Sequence, residues 1–268
     1  MIPAPELGEL EAMRSLMSGP GGEVAAFGGV LCTVFPQAPS SAMFNRALGV
    51  GVAEPVTEAA LDEIDAFFAE RRVAYGIPVT PYALPTEVQA WLGQRGFQRG
   101  YAWTKFERKP EATADLDHKT DLRVEEVGAD RAEVFADVFS RAYGTPDVAR
   151  GLLERLPGAE GWQCFVAFAG ETPAATGALF VSGRVGWLGA TGTLPEFRRR
   201  GAQNSLLAAR VRAGGAAGCE SLVTETGEPI EGRPGASYRN LVRAGFEPRY
   251  VRQNFLSSAE ADTSGTRA

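Results

Sequence analysis

The sequence predicts an α/β (α+β) protein of two tandem domains, each a mixed, mostly antiparallel sheet flanked by helices. Three observations predict it. The chain has 268 residues, enough for two compact units that each bury a core. A polar stretch at 109–120, rich in Ala, charge and Pro110, separates two segments of comparable length. The expected units are therefore 1–110, a linker at 111–120, 121–257 and a frayed tail at 258–268. Finally, the order of elements in the first segment repeats the later part of the second. Arg95-Gly96-Phe97 and Ala244-Gly245-Phe246 stand at matching places, 149 residues apart, which reads as an internal duplication.

In the first segment, residues 24–27 and 30–35 are strand-like around Gly28-Gly29, and 43–52 is a further candidate strand. A helix carrying Leu61, Ile64 and Phe68 starts at Thr57. A strand near 74–79, a helix with Val88, Trp91 and Leu92, and a strand ending at Phe106 complete the segment. In the second segment, 122–127 reads as a strand, and Asp130 with Glu133 as a capping box for a helix with Val134, Phe135, Val138, Phe139 and Ala142 on one face. A helix over 147–155 follows, then strands at 164–169, 175–181 and 185–193 in an antiparallel meander punctuated by Gly170 and Gly183. A helix at 202–214, a strand at 221–225, a helix from near Ser237 and a terminal strand pair from Phe246 to Leu256 finish the chain.

Composition narrows the function. With 27 Lys and Arg against 33 Asp and Glu, the net charge of −6 argues against nucleic acid or an anionic membrane as partner, since both require broad basic faces. The three arginines at 198–200 lack the aromatic interleaving of a nucleic-acid site. Cys32, Cys164 and Cys219 are far apart and odd in number, which predicts reduced, buried thiols in a cytoplasmic protein. The one histidine, His118, falls in the linker, so neither a histidine-based metal site nor a Ser-His-Asp triad is expected. The N-terminus lacks a basic region followed by an apolar block, and no apolar run reaches the ~18 residues of a membrane span.

The segment Thr191-Gly192-Thr193-Leu194-Pro195-Glu196-Phe197-Arg198-Arg199-Arg200-Gly201-Ala202-Gln203-Asn204 runs from a strand end into a helix. Such a turn leaves backbone N–H groups unpaired at the positive end of a helix. Gly201 lets a bulky anion approach the main chain, and the arginines add charge suited to a diphosphate.

Here the chain resembles the GCN5-related N-acetyltransferase superfamily. Its signature is Arg/Gln-x-x-Gly-x-Gly/Ala after a strand, and Arg198-Arg199-Arg200-Gly201-Ala202-Gln203 matches it except that Gln203 replaces the last small residue. Residues 237–246 resemble the family's last helix and its Gly-Phe entry to the final strand. The resemblance covers about 120–256; the first half is a degenerate copy, and tandem members of the superfamily set a precedent.

The resemblance implies acetyl-CoA as co-substrate. Backbone amides from Arg199 to Asn204 would hold its pyrophosphate, Arg198, Arg199 and Arg200 would add charge, and Thr191, Gly192 and Thr193 would pair with the pantetheine arm. The implied activity is transfer of acetyl to a primary amine of a small molecule or peptide by direct attack in a ternary complex. A coenzyme A sensor without catalysis, or other acyl chemistry such as O-acylation or decarboxylation, remains an alternative. Acyl transfer needs a base and benefits from an acid for the thiolate. Glu225, on the strand after the cofactor helix, matches an acidic residue of some relatives and is the candidate base. The tyrosine that many members carry four residues before the Gly of Gly-Phe is Leu241 here. Ser237, alternatively a helix cap, and Tyr238, one turn before Leu241's level, are the remaining candidates to face the sulfur.

Trp162, Trp187, Phe139 and Tyr143 could line an acceptor cleft or simply build the core. In the first half, Glu54 stands where the second half has its arginines, so that half is expected not to bind coenzyme. Its expected work is to cover the acceptor pocket or to form the interface of a homodimer.

Overall fold

The computed structural model describes residues 2–110, 120–145 and 147–257. Nearly all of the expected linker, with His118, and the tail at 258–268 lie outside the described residues.

The first half contributes α1 (Ala4–Met17), β1 (Glu23–Phe27), β2 (Val30–Val34), β3 (Arg46–Leu48), α2 (Glu58–Glu70), β4 (Gly76–Val79), α3 (Val88–Gln94) and β5 (Gln98–Arg108). The second contributes β6 (Arg123–Val127), α4 (Ala132–Tyr143), α5 (Arg150–Glu154), β7 (Trp162–Ala169), β8 (Thr172–Ser182), β9 (Val185–Thr193), α6 (Ala202–Ala216), β10 (Ser221–Gly227), α7 (Ala236–Arg243) and β11 (Glu247–Leu256). All eleven strands form one sheet in the order β1-β2-β3-β4-β11-β5-β10-β9-β8-β7-β6. Only β3–β4 and β9–β10 are parallel; the remaining pairs are antiparallel.

That order contains an exchange. The last strand of the first half, β5, pairs with β10 of the second, and the last strand of the second, β11, pairs with β4 of the first. β5 and β11 pair with each other at the centre. The repeated Gly-Phe step has the same geometry before each. Gly96 and Gly245 take φ of 85° and 76° after α3 and α7, and the N–H groups of Phe97 and Phe246 reach back to the carbonyls of Leu92 and Leu241. Only a left-handed residue closes a helix in this way, which is why glycine stands at both places.

Several boundaries differ from expectation. The strand expected at 43–52 shrinks to Arg46–Leu48, because Gly49 turns the chain at φ 81°. α2, expected to start at Thr57, begins one residue later with Thr57 as its cap, the Thr57 hydroxyl accepting from the Ala60 N–H. The Asp130–Glu133 capping box does not form: Asp130 lies inside a 3-10 turn, Ala129–Arg131, and α4 begins beyond it with no side-chain cap. The expected terminal strand pair is a single strand, β11, with a bulge between Pro248 and Tyr250.

The largest departure is α1, a helix absent from the expected elements. It lies inside the molecule. Leu10, Met13, Leu16 and Met17 pack in one cluster with Leu31, Phe35 and Leu48 of the first half and Phe135, Leu152 and Trp162 of the second. Gly8 lets α1 sit directly on β9 and β10; a Cβ there would stand 2.7 Å from a Val223 methyl. The helix is hard to read because its buried face also carries Glu6 and Glu9, 2% and 1% exposed, where apolar residues are the usual signal. The three cysteines are free and buried, and burial pushes the Cys32 thiol up to about 12.

Candidate functional site

The site begins where two parallel strands part. β9 and β10 are in register from Val185–Ser221 to Trp187–Val223 and diverge beyond. On its other edge β9 carries a bulge: Thr176 pairs with Gly192 and Ala178 with Gly189, so that Gly177 faces both Ala190 and Thr191. Ala190 takes φ 45°, the local strain of that extra residue. After Thr193 the chain makes a 3-10 turn, Pro195–Phe197, then turns back through Arg199 at φ 64° and Gly201 at φ 87° into α6. Among the described residues no side chain caps α6, which leaves its first N–H groups at the positive end of the helix dipole for other partners.

The end of β9, the turn and the start of α6 line an open cleft of about 1370 Å³. Thr191, Gly192, Thr193, Arg198, Arg199, Arg200, Gly201, Ala202, Gln203 and Asn204 all line it, joined by Tyr143 from α4 and by Ser237, Asn240 and Arg243 from α7. Arg200 pairs with Asp121, and the Thr120 hydroxyl donates to the Arg200 carbonyl at 2.7 Å, pinning the turn to the start of the second half. Gln203, the departure from the small residue in the motif, turns aside: its Oε1 accepts from Asn240 Nδ2 at 2.5 Å. The long side chain thereby ties α6 to α7.

The remaining candidates divide. Ser237 lines the cleft as the second residue of α7; it is not the cap, because Gly235 holds that position. Tyr238 is not among the lining residues and packs edge-on against Phe106, ring centres 5.0 Å apart, in a core shared with Leu241. Glu225 is likewise outside the lining: its carboxylate is ion-paired with Lys105 and lies 3.7 Å from Arg252. Of the four aromatics, Phe139, Trp162 and Trp187 build the core around α1, the Trp162 indole donating to Ser15 Oγ at 2.9 Å. Only Tyr143 enters the cleft, its hydroxyl donating to the Thr191 carbonyl at 2.7 Å. Among the described residues no group of three His, Cys, Asp or Glu is placed to hold a metal, and no helix is long and apolar enough to cross a membrane.

No family model matches the chain, and no curated protein matches it in sequence. Solved structures do. A GCN5-related N-acetyltransferase from Kribbella flavida superposes with a TM-score of 0.68 over 96% of each chain, at 17% identity. A second, from Sphaerobacter thermophilus, covers 89% of this chain and 76% of its own, with TM-score 0.62 and 16% identity. A tandem GNAT protein from the clavulanic acid biosynthesis pathway covers 90% and 84%, with TM-score 0.60 and 15% identity. The chain has the tandem GCN5-related N-acetyltransferase fold.

In this GNAT fold the first half closes the turn that corresponds to the arginine loop of the second. The turn matching the arginine loop runs through Gly49 and Gly51, where the main chain of Leu84 closes on it. Leu84 N–H donates to the Gly51 carbonyl at 2.9 Å, and Val56 N–H to that of Leu84 at 2.8 Å. A Cβ on Gly51 would stand 2.4 Å from the Leu84 oxygen. Glu54 lies beside Gly29 and is not among the residues that line the cleft. Glu54→Ala is therefore expected to leave coenzyme A affinity unchanged within twofold, checked by calorimetry.

The GNAT halves are joined by a buried charge cluster that the sequence did not reveal. Glu9 of α1 pairs with Lys105 on β5 at 2.7 Å, with Arg46 on β3 at 2.7 Å and with Arg252 on β11 at 2.5 Å. Glu6 pairs with Arg252 at 3.0 Å and accepts from the Tyr250 hydroxyl at 2.7 Å. Burial alone would raise both carboxyls; Arg252 and Lys105 reverse this and hold Glu9 well below the usual carboxylate range and Glu6 below it. Glu225 is the cluster's outermost acid, 11% exposed, so the exchanged strands supply both of its partners.

Proposed function

We propose that this chain is an acyltransferase that moves acetyl from acetyl-CoA to a primary amine of a small molecule or peptide, in the cytoplasm, by direct attack in a ternary complex. The observation that carries it is the cleft itself, in which a helix start without a side-chain cap among the described residues, a left-handed glycine and three arginines converge at the end of β9. The GNAT fold of the N-acetyltransferases to which the chain is similar supports the same reading.

Main-chain N–H groups of Arg199 to Asn204 fit a diphosphate, and the edge of β9 at Thr191–Thr193 fits an amide-bearing arm. Acetyl-CoA supplies the activated acyl group. The amine nitrogen bonds to the acyl carbon, the carbon–sulfur bond breaks and sulfur leaves with the electron pair as thiolate. The acceptor ammonium gives up one proton before attack and one after. Glu225, on β10 and held by Lys105, is assigned to draw the first. Ser237 is assigned to the sulfur side, as the hydroxyl of α7 within the cleft.

If Glu225 is the base, Glu225→Gln lowers kcat by about 10²-fold while coenzyme affinity changes little. Equal turnover by mutant and wild type between about pH 6 and 9 would remove Glu225 from the reaction. The buried position of Leu241, 3% exposed where many family members have a phenol, favours a second reading as a coenzyme A sensor. Thiol release from acetyl-CoA across a panel of amines separates the two. Release with at least one amine, and a product heavier by one acetyl, supports transfer; tight binding with no release supports the sensor.

A further inference from the structure

Arg210 is the ninth residue of α6 and is 1% exposed. Among the described residues no carboxylate lies within ion-pair distance of it. Its Nε donates to the Leu206 carbonyl at 3.0 Å, and Nη1 lies 2.7 Å from Thr191 Oγ1, 3.4 Å from the Ala178 carbonyl and 3.5 Å from that of Gly189. A buried cation without a counter-charge is costly, and burial pushes this guanidinium down to about 9.

The sheet is shaped to receive it. Gly177 lies in the interior of β8, where glycine weakens a strand, and a Cβ there would stand 2.9 Å from the Arg210 guanidinium carbon. Gly177 is also the residue that faces the Ala190–Thr191 bulge. On the other side, Tyr143 grips the Thr191 carbonyl. One missing side chain, one strained bulge and one uncompensated positive charge thus meet behind Thr191 in the wall of the cleft.

Resting on the reading of this cleft as the thioester site, we propose that Arg210 is a positioning residue whose buried charge fixes Thr191 and stabilises negative charge developing on the sulfur and oxygen of the thioester. It does so through the wall of the cleft, without touching substrate. This offers an account of how the chain dispenses with a phenolic acid at Leu241: a fixed positive charge in a low-dielectric setting makes thiolate a better leaving group without donating a proton.

The test is the titration of coenzyme A bound to the protein, followed by thiolate ultraviolet absorbance, with desulfo-coenzyme A as the affinity control. Bound to wild type, the thiol is expected to ionise below the ~8.5 of a free alkyl thiol. In Arg210→Gln, whose amide nitrogen stands where Nε donates to Leu206 and which carries no charge, the midpoint should move up by about one pH unit or more, with desulfo-coenzyme A affinity unchanged. Arg210→Lys should retain most of the depression. A wild-type thiol that titrates at the free value overturns the proposal, even if the glutamine variant fails to fold. So does a glutamine variant with the wild-type midpoint. Failure of wild type to bind either coenzyme would instead overturn the reading of the cleft.

Discussion

Gly201→Glu is expected to weaken acetyl-CoA binding by about a hundredfold or more, about 2.7 kcal/mol. Two effects add. Gly201 holds φ 87°, where a side chain is strained by about 1–2 kcal/mol, and it leads into α6 at the cleft wall. The new carboxylate would also stand beside any diphosphate seated there, and opposed like charges cost several kcal/mol. Calorimetric titration of the folded variant measures the loss. Wild-type affinity would mean that the turn does not hold the coenzyme. Gly201→Ala isolates the conformational part and should lose less.

The second large effect lies at Glu9. Replacing it with glutamine leaves Lys105, 0% exposed, and Arg252, 1% exposed, short of a counter-charge, and removing one partner of a buried ionic group costs about 3–5 kcal/mol. Because α1 clamps both exchanged strands through this residue, unfolding should remain a single transition at a lower denaturant midpoint. The pH dependence follows from the direction of the shifts. Glu6 and Glu9 are depressed in the folded protein, so they bind protons more readily when unfolded. Their contribution is complete above the unfolded value of about 4.3 and is lost as pH falls through the folded values. Wild-type stability should therefore fall steeply below about pH 4, and Glu9→Gln should show a shallower fall. A variant as stable as wild type at neutral pH would show that the cluster does not hold α1.

The arginine turn was legible because its chemistry is local. Gly201, its neighbours and the strand before it lie within fourteen consecutive residues, and all ten cofactor candidates line one cleft. The Gly-Phe repeat was legible for the same reason, since one helix-closing turn needs one left-handed glycine. What escaped depended on partners far away in sequence. The acids of α1 hid an amphipathic helix until Lys105 and Arg252 arrived from two exchanged strands. Tyr238 and Ser237 are adjacent, yet α7 turns one to Phe106 and the other to the cleft, which no spacing rule ranks. Arg210 reads as an ordinary helix arginine until Gly177, on another strand, makes room for it.

The most direct test is a crystal structure of the chain grown with acetyl-CoA. The diphosphate should lie on the main-chain N–H groups of Arg199 to Asn204 with the thioester beside Thr191. A coenzyme bound elsewhere, or a cleft that stays empty at saturating concentration, would contradict the account.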